Sequence, residues 1–166
     1  MKTMLVMSDT HGNKGAVARL KEIAGETDYI VHLGDHSRDI EPIRAQYPER
    51  VFSVDGNCDL AFRTERTLEI EGVKVLLTHG HRFGVKSGLE RLFYFCGERG
   101  IDLALYGHTH IAAVDESEGV KLINPGNLSR GSGEKSYAYL IFDKGRVMEK
   151  IVKVQEKLFL KKIVNS

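Results

Sequence analysis

Short, mostly apolar runs punctuate the first 60 residues. Each run ends at a polar turn that contains glycine or aspartate, and each is too short for a helix. Runs of this kind are typical of strands buried on both faces of a parallel sheet. We therefore predict strands at Met4–Met7, Tyr29–Leu33 and Val51–Val54.

Helical patterns separate these strands. Apolar residues recur at helical spacing over Lys14–Ala24, with Asn13 at the N-cap position and Gly25 as the predicted stop. A short polar helix is predicted over Asp39–Gln46. Strand, helix and strand in this order favour parallel pairing with right-handed crossovers.

The pattern changes after residue 60, where most segments read as strands. Thr67–Ile70 and Val73–Leu77 flank the turn Glu71-Gly72 and predict a β-hairpin. A helix is predicted over Ser87–Arg99, and further strands are predicted over residues 103–106, 112–115, 120–123, 137–142 and 147–154. Two facing sheets with helices outside would bury all these strands.

Length and composition indicate one globular domain, predicted over residues 1–155 of the 166-residue chain. The tail, residues 156–166, mixes apolar residues with lysines and reads either as a docking helix or as a frayed end. The net charge of +1 gives no support for a nucleic-acid or membrane surface.

Cysteine usage and hydropathy predict a cytoplasmic protein. Cys58 and Cys96 are too few for a disulfide framework. The first apolar run ends at Ser8-Asp9, so the run is too short to be the core of a signal peptide. No run approaches the roughly 20 apolar residues of a membrane span, so no membrane partner is expected.

Candidate metal ligands follow five of the predicted strands. Each alone has an ordinary explanation, such as a capping aspartate or a packed histidine. Strands of one sheet end at one edge, however, and a surplus of carboxylate and imidazole there is costly unless a cation pairs with it. The residues are Asp9, His11, Asp35, Asn57, His79, His108 and His110.

Seven such ligands exceed one tetrahedral site and suit two neighbouring metals that share a carboxylate. A nitrogen and oxygen set without cysteine favours manganese, iron, zinc, nickel or cobalt over magnesium or calcium.

The order and spacing of these motifs resemble the calcineurin-like metallophosphoesterase superfamily, and in particular its small YfcE-like branch. The resemblance runs from about Met4 to Phe142. The motifs that carry it are Asp9-x-His11, Gly34-Asp35, Gly56-Asn57-Cys58-Asp59, Thr78-His79-Gly80-His81, Gly107-His108-x-His110 and Asn124-Pro125-Gly126.

This resemblance implies an α/β fold, a four-layer α/β/β/α sandwich of two mixed sheets. It also implies two divalent metals, manganese first, with nickel, iron, zinc or cobalt as alternatives. The first would be held by Asp9, His11 and His110, the second by Asn57, His79 and His108, and Asp35 would bridge them.

The implied activity is hydrolysis of a small or nucleotide-like phosphodiester by a hydroxide that bridges the metals. Asn57 would also contact the phosphate. Much of the superfamily has histidine at the position of Cys58, where it protonates the leaving group, and a thiol with a pKa near ~8.5 is a poor substitute. His81 is the substitute acid or a support beside the ligands, Cys58 would border the substrate, and Arg130 would meet a phosphate or remain solvated.

Three further polar residues lie near these motifs. His32 falls within a strand and reads as a packed histidine, and His36 follows Asp35 and reads as solvent-facing or as a neighbour of the ligands. Asp39, four residues after Asp35, reads as a helix cap.

Two other functions remain open at this point. One is a metal-poor scaffold, because a eukaryotic retromer subunit shares the implied fold; that subunit has lost ligands, whereas this chain keeps all seven. The other is a nuclease, which the weak net charge disfavours for long nucleic acid. The family also implies a homo-oligomer, a dimer or higher.

Overall fold

The computed structural model describes residues 1–60, 62–131 and 133–154. This part of the chain contains ten strands, arranged in two sheets, and several short helices. The strands are β1 (Lys2–Met7), β2 (Tyr29–His32), β3 (Val51–Ser53), β4 (Glu65–Ile70), β5 (Val73–Thr78), β6 (Leu103–Leu105), β7 (Ala113–Ser117), β8 (Val120–Asn124), β9 (Ser136–Asp143) and β10 (Arg146–Lys153). The helices are α1 (Lys14–Arg19), α2 (Lys21–Glu26), α3 (Glu41–Arg44) and α4 (Glu90–Glu98), with 3₁₀ helices at Ser37–Ile40 and His81–Phe83.

Both sheets are mixed. The first has the order β10-β9-β1-β2-β3, and the second has the order β4-β5-β6-β8-β7. β1, β2 and β3 are parallel, as are β5, β6 and β8. The antiparallel pairs are β1 with β9, β9 with β10, β4 with β5, and β7 with β8. The predicted hairpin is β4–β5.

Successive side chains of the central strands point to opposite faces of the sheets, so the fold has four layers. In β1, Met4 and Val6 face the core between the sheets, whereas Leu5 and Met7 pack beneath α1 and α2. In the second sheet, Leu76 of β5 packs instead on the α4 side. The predicted α/β/β/α sandwich is therefore confirmed.

The first helical segment differs from its prediction. It divides at Leu20 into α1 and α2, and it continues through Gly25 to Glu26. Gly25 does not stop the helix; a side chain there would meet the hydroxyl of Tyr47, so the glycine permits that close approach. The predicted cap is confirmed, since the Ala16 amide donates to Asn13 Oδ1 at 3.3 Å.

The carboxyl ends of the parallel strands of both sheets lie at one end of the sandwich. The loops after β1, β2 and β3 there face the loops after β5 and β6, and close approach of Gly34 to Gly56 and of Gly107 to Ser8 packs them together. In open α/β sheets this end is where ligands bind. No helix in the described residues is long and apolar enough to cross a membrane. The predicted tail, residues 156–166, lies outside the described residues.

Candidate metal centre

The first cluster of ligand atoms joins three loops. Asp9 and His11 follow β1, Asp35 follows β2, and His110 follows β6; one ligand atom from each lies within 4.8 Å of the others. His110 Nε2 is 3.0 Å from Asp9 Oδ1, and His11 Nε2 is 3.5 Å from Asp35 Oδ2. Strand ends 99 residues apart in sequence thus meet at one point.

The second cluster shares Asp35 with the first and adds His79 after β5 and His108 after β6. His79 Nε2 lies 3.4 Å from Asp35 Oδ1 and 3.2 Å from Asn57 Oδ1. Asn57 therefore places its carbonyl oxygen in this cluster, after β3.

Asp35 stands between the two clusters with one oxygen toward each. Its Oδ1 accepts a hydrogen bond from the Cys58 amide at 2.9 Å and faces His79, while Oδ2 faces His11. The carboxylate is almost fully buried. This is the geometry that a bridging carboxylate needs.

Several polar atoms in these clusters would be better satisfied by a divalent cation than by contact with one another. Asp9 Oδ1 is buried and forms no hydrogen bond within the described residues, although His110 Nε2 lies beside it. The Nε2 atoms of His11 and His110 face each other at 3.3 Å, which requires a proton or a cation between them. His79 Nδ1 lies 2.7 Å from the Leu33 carbonyl, to which it donates, so Nε2 is the atom free to ligate.

The electrostatics suit metal binding at neutral pH. Burial opposes ionisation of Asp35, but hydrogen bonds from the His79 ring and the Cys58 amide hold the pKa of its carboxyl well below its usual range. Burial, aided by Lys86, lowers the pKa of His108 to about 4, which leaves its ring neutral. Against the opposing effect of burial, Asp35 raises the pKa of His79, so a metal would displace a proton there.

Backbone strain is concentrated in the same loops. Of the nine non-glycine residues with positive φ in the described chain, six belong to these loops. Such conformations cost on the order of 1–3 kcal/mol each and persist only where the surroundings enforce them. The six are Asp9, His11, Asp35, His36, His108 and His110.

Comparison with known proteins identifies the family. A family model described as a calcineurin-like phosphoesterase superfamily domain matches residues 1–145. The chain belongs to this superfamily. The family and the enzyme class predicted from the sequence, a metal-dependent phosphoesterase, are thereby confirmed.

Similar proteins from this superfamily align with most of the chain. The probable metallophosphoesterase YsnB of Bacillus subtilis is 35% identical over 147 residues, which are 84% of each protein. The phosphodiesterase YfcE of Escherichia coli K12 is 30% identical over 168 residues, covering 84% of this chain and 88% of YfcE. The crystal structure of a predicted phosphoesterase of Streptococcus pneumoniae superposes with a TM-score of 0.78 at 27% identity, over 92% of this chain and 89% of that one.

The structure brings together all seven predicted metal ligands, in the two groups that the family resemblance implied. Their role as ligands stays a prediction. The ring of His81 lies 5.4 Å from that of His79, and its buried Nδ1 has no hydrogen-bond partner among the described residues. Cys58 is exposed beside Asn57, and Arg130 is exposed in the loop between β8 and β9.

Sequence reasoning missed Ser8, although it directly precedes Asp9, the first of the predicted ligands. Its hydroxyl donates to Asp9 Oδ2 at 2.5 Å, and the His108 amide donates to the same oxygen at 3.1 Å. With Oδ2 held in this way, Oδ1 alone is left to face His110. The adjacency of a serine to the ligand aspartate is the only sequence signal for this role.

Gly107→Ala is expected to disrupt the first cluster. A Cβ at this position would overlap Ser8 Oγ and crowd Asp9 Oδ2, both of which are buried and tightly held. We expect a loss of about 1–3 kcal/mol in unfolding free energy, as for other overpacked sites, together with weaker Mn²⁺ binding. Thermal unfolding and Mn²⁺ titration would measure the two effects.

Gly97→Ala is the matched control. Gly97 lies within α4, and a Cβ there meets nothing within 4 Å. We expect unchanged Mn²⁺ binding and equal or slightly higher stability, because alanine favours the helix. Wild-type stability and Mn²⁺ affinity in Gly107→Ala would contradict the described packing of the first cluster.

Proposed function

We propose that this protein is a dinuclear metal-dependent phosphodiesterase that acts on small or nucleotide-like diesters. The observation that carries the proposal is Asp35, whose two oxygens each face a separate cluster of ligand atoms. Two divalent cations bound there would activate water and neutralise negative charge on the phosphate. Manganese is our first expectation, with nickel, iron, zinc and cobalt as alternatives for a nitrogen and oxygen set.

The chain's own groups would orient the substrate. Asn57 directs Oδ1 toward His79, which leaves its Nδ2 group, 3.5 Å from Cys58 Sγ, to donate to a phosphate oxygen. The Cys58 amide and the His79 ring keep Asp35 ionised and fixed in place. Asn57 is thus proposed both as a ligand and as a catalytic residue.

Two clefts with no shared lining residue support a diester rather than a monoester. One, of about 390 Å³, is lined by His36, Arg38, Asp39, Cys58, Asp59 and Leu60. The other, of about 420 Å³, is lined by His110, Ile111, Ala112, Asn127, Ser129, Gly133, Glu134 and Ser136. Each cleft would take one substituent of the phosphate, and the relative YfcE is named a phosphodiesterase.

The position from which the leaving group would be protonated holds Cys58, which is poorly suited to act as an acid. Partial burial and the charge of Asp35 raise the pKa of the Cys58 thiol, so it is a poor proton donor for an alkoxide. His81 is the proposed substitute, as its ring contacts those of His79 and His108. We therefore expect the best turnover for esters whose leaving group needs no proton.

Cys58→His is expected to increase hydrolysis of esters with poor leaving groups. Histidine at this exposed position can donate a proton, and general acid catalysis contributes about 10²–10⁴-fold. We expect at least a roughly 10-fold increase for an alkyl leaving group and little change for p-nitrophenolate. The measurement is the slope of log kcat against leaving-group pKa, which should become shallower.

Cys58→Ser is the matched control, because it keeps the size of the side chain and supplies no better acid. Its slope should equal that of the wild type. Unchanged turnover of alkyl esters in Cys58→His would contradict this assignment of the leaving-group position.

Removal of metal tests the proposed function itself. The purified chain should contain or take up two metal ions, lose hydrolysis of bis-p-nitrophenyl phosphate after chelation, and regain it with Mn²⁺. Metal analysis and the release of p-nitrophenolate would show this. A chain that binds no metal and stays inactive with added Mn²⁺ would exclude the enzyme and favour the scaffold alternative.

Two expectations stay predictions. A homo-oligomer is expected from the family resemblance, and a sizing measurement would test it. A cytoplasmic location is expected from the sequence, and fractionation of cells would test it.

A further inference from the structure

Two buried polar residues beside the candidate metal centre belong to neither cluster. Asp39, which the sequence suggested as a helix cap, is 4% exposed, and His32 is fully buried. Asp39 caps no helix: its carboxylate accepts from the Gly12 amide at 2.8 Å and contacts the Thr10 hydroxyl at 2.7 Å. Its partners therefore lie 27 and 29 residues away, in the loop after β1.

His32 completes a chain of hydrogen bonds with these groups. Its Nε2 lies 3.0 Å from Thr10 Oγ1, and its Nδ1 accepts from the Gly34 amide at 3.1 Å. The chain runs from Gly34 through His32 and Thr10 to Asp39, which also holds Gly12.

The positions of the protons in this chain are determined by chemistry. A carboxylate only accepts, so Thr10 donates its single hydroxyl proton to Asp39. The hydroxyl oxygen is then the acceptor for His32 Nε2–H, and the unprotonated Nδ1 accepts from Gly34. Burial lowers the pKa of His32 to about 4, which agrees with a neutral ring in this one tautomer.

The chain ties together two of the three loops that supply the first cluster. Thr10 stands between Asp9 and His11, and Gly34 immediately precedes Asp35. The three ligands have left-handed backbones, with φ values of 53°, 44° and 58°. Two backbone bonds join the same loops: the Asp9 amide donates to the Gly34 carbonyl at 3.0 Å, and the His11 amide donates to the Asp35 carbonyl at 3.4 Å.

We propose that Asp39, acting through Thr10 and His32, is a positioning residue that fixes the loop of Asp9 and His11 against the bridging Asp35. Asp9 and His11 of the first cluster and the shared carboxylate of Asp35 are then held ready in one arrangement. This inference rests on the proposed function, since it takes the two loops to be metal-binding.

Mn²⁺ titration of folded Asp39 variants tests the proposal. Asp39→Ala removes both acceptor contacts, and we expect one of two Mn²⁺ ions to bind about 10- to 100-fold more weakly, the range seen for supports of metal ligands. Asp39→Asn keeps a carbonyl oxygen that can accept both bonds, so it should restore most of the affinity. Calorimetry gives the affinities, and electron paramagnetic resonance distinguishes paired from single Mn²⁺.

Asp28→Ala is the matched control. Asp28 Oδ2 accepts from the amide and the hydroxyl of Thr3, at 2.9 and 3.2 Å, at the opposite end of β1. The variant thus removes the same two kinds of bond far from the centre, together with the 2.9 Å ion pair between Asp28 and Lys2. It should bind both Mn²⁺ ions with wild-type affinity.

The outcomes separate this proposal from the proposed function. If wild type binds two Mn²⁺ ions and folded Asp39→Ala binds them equally well, the positioning role is wrong and the proposed function stands. If wild type binds fewer than two, the proposed function fails and this inference fails with it. Should Asp39→Ala not fold, Thr10→Val breaks the chain at its middle, and wild-type Mn²⁺ affinity in that variant would overturn the proposal.

Discussion

Asp35→Asn is expected to reduce phosphodiester hydrolysis at least about 1,000-fold, or roughly 4 kcal/mol of transition-state stabilisation. The Cys58 amide donates to Oδ1, so the new carbonyl should settle there and accept that bond. The amide nitrogen then replaces Oδ2, which faces His11, and it has no lone pair for a metal. We expect the first cluster to lose most of its Mn²⁺ affinity and the second to keep part of it.

Metal content and hydrolysis of bis-p-nitrophenyl phosphate at saturating Mn²⁺ would measure both effects. Asp102→Asn is the control, because Asp102 accepts from the Lys74 amide at 2.8 Å just before β6, whereas the centre lies just after it. That variant should retain both metals and full activity. Activity of Asp35→Asn within about 10-fold of wild type would contradict a bridging role, which should cost far more.

The convergence of the candidate ligands could be predicted because they follow strands. An apolar run that ends at a polar turn marks a strand end, and parallel strands bring their ends together. Asp9, Asp35 and His79 were predicted as candidate ligands in this way. Their division into two clusters came only from resemblance to a family, since no pattern in one chain states which loops of two sheets will face each other.

The supports of the ligands were not predictable in the same way. Asp39 lies four residues after Asp35 and looks like a local cap, yet its partners Gly12 and Thr10 are supplied by a different strand end. Likewise, His79 Nδ1 is oriented by the Leu33 carbonyl, 46 residues away, and a backbone group leaves no mark in the sequence. Such contacts depend on tertiary packing rather than on local propensity.

The left-handed backbones also escaped prediction, because even histidine and aspartate adopt this region uncommonly and no sequence pattern marks where they do. At His11 and His110 the strain coincides with the convergence of ring nitrogens at 3.3 Å. The strained backbone and the close approach of the ring nitrogens thus occur at the same place. A bound cation there would offset the repulsion between the nitrogens. The centre therefore departs from local rules where the function is proposed to lie.

His11→Ala and His108→Ala should each reduce the Mn²⁺ content from two ions to about one, because each removes a ring from a different cluster. The fold should persist, since His11 and His108 are both only partly buried and lie outside the apolar core. We expect each variant to lose at least about 100-fold in kcat/KM, because either vacancy destroys the pair that acts on the phosphate. Paramagnetic resonance should show isolated Mn²⁺ in both.

The double variant gives the decisive comparison. If the two metals act as one unit, His11→Ala combined with His108→Ala should lose no more than about 10-fold beyond the worse single variant, since residues that act together are strongly non-additive. Losses that multiply would instead indicate two independent metal sites. His36→Ala serves as the control for metal content: its ring lies 5.6 Å from that of His11 but belongs to neither cluster, so both Mn²⁺ ions should remain.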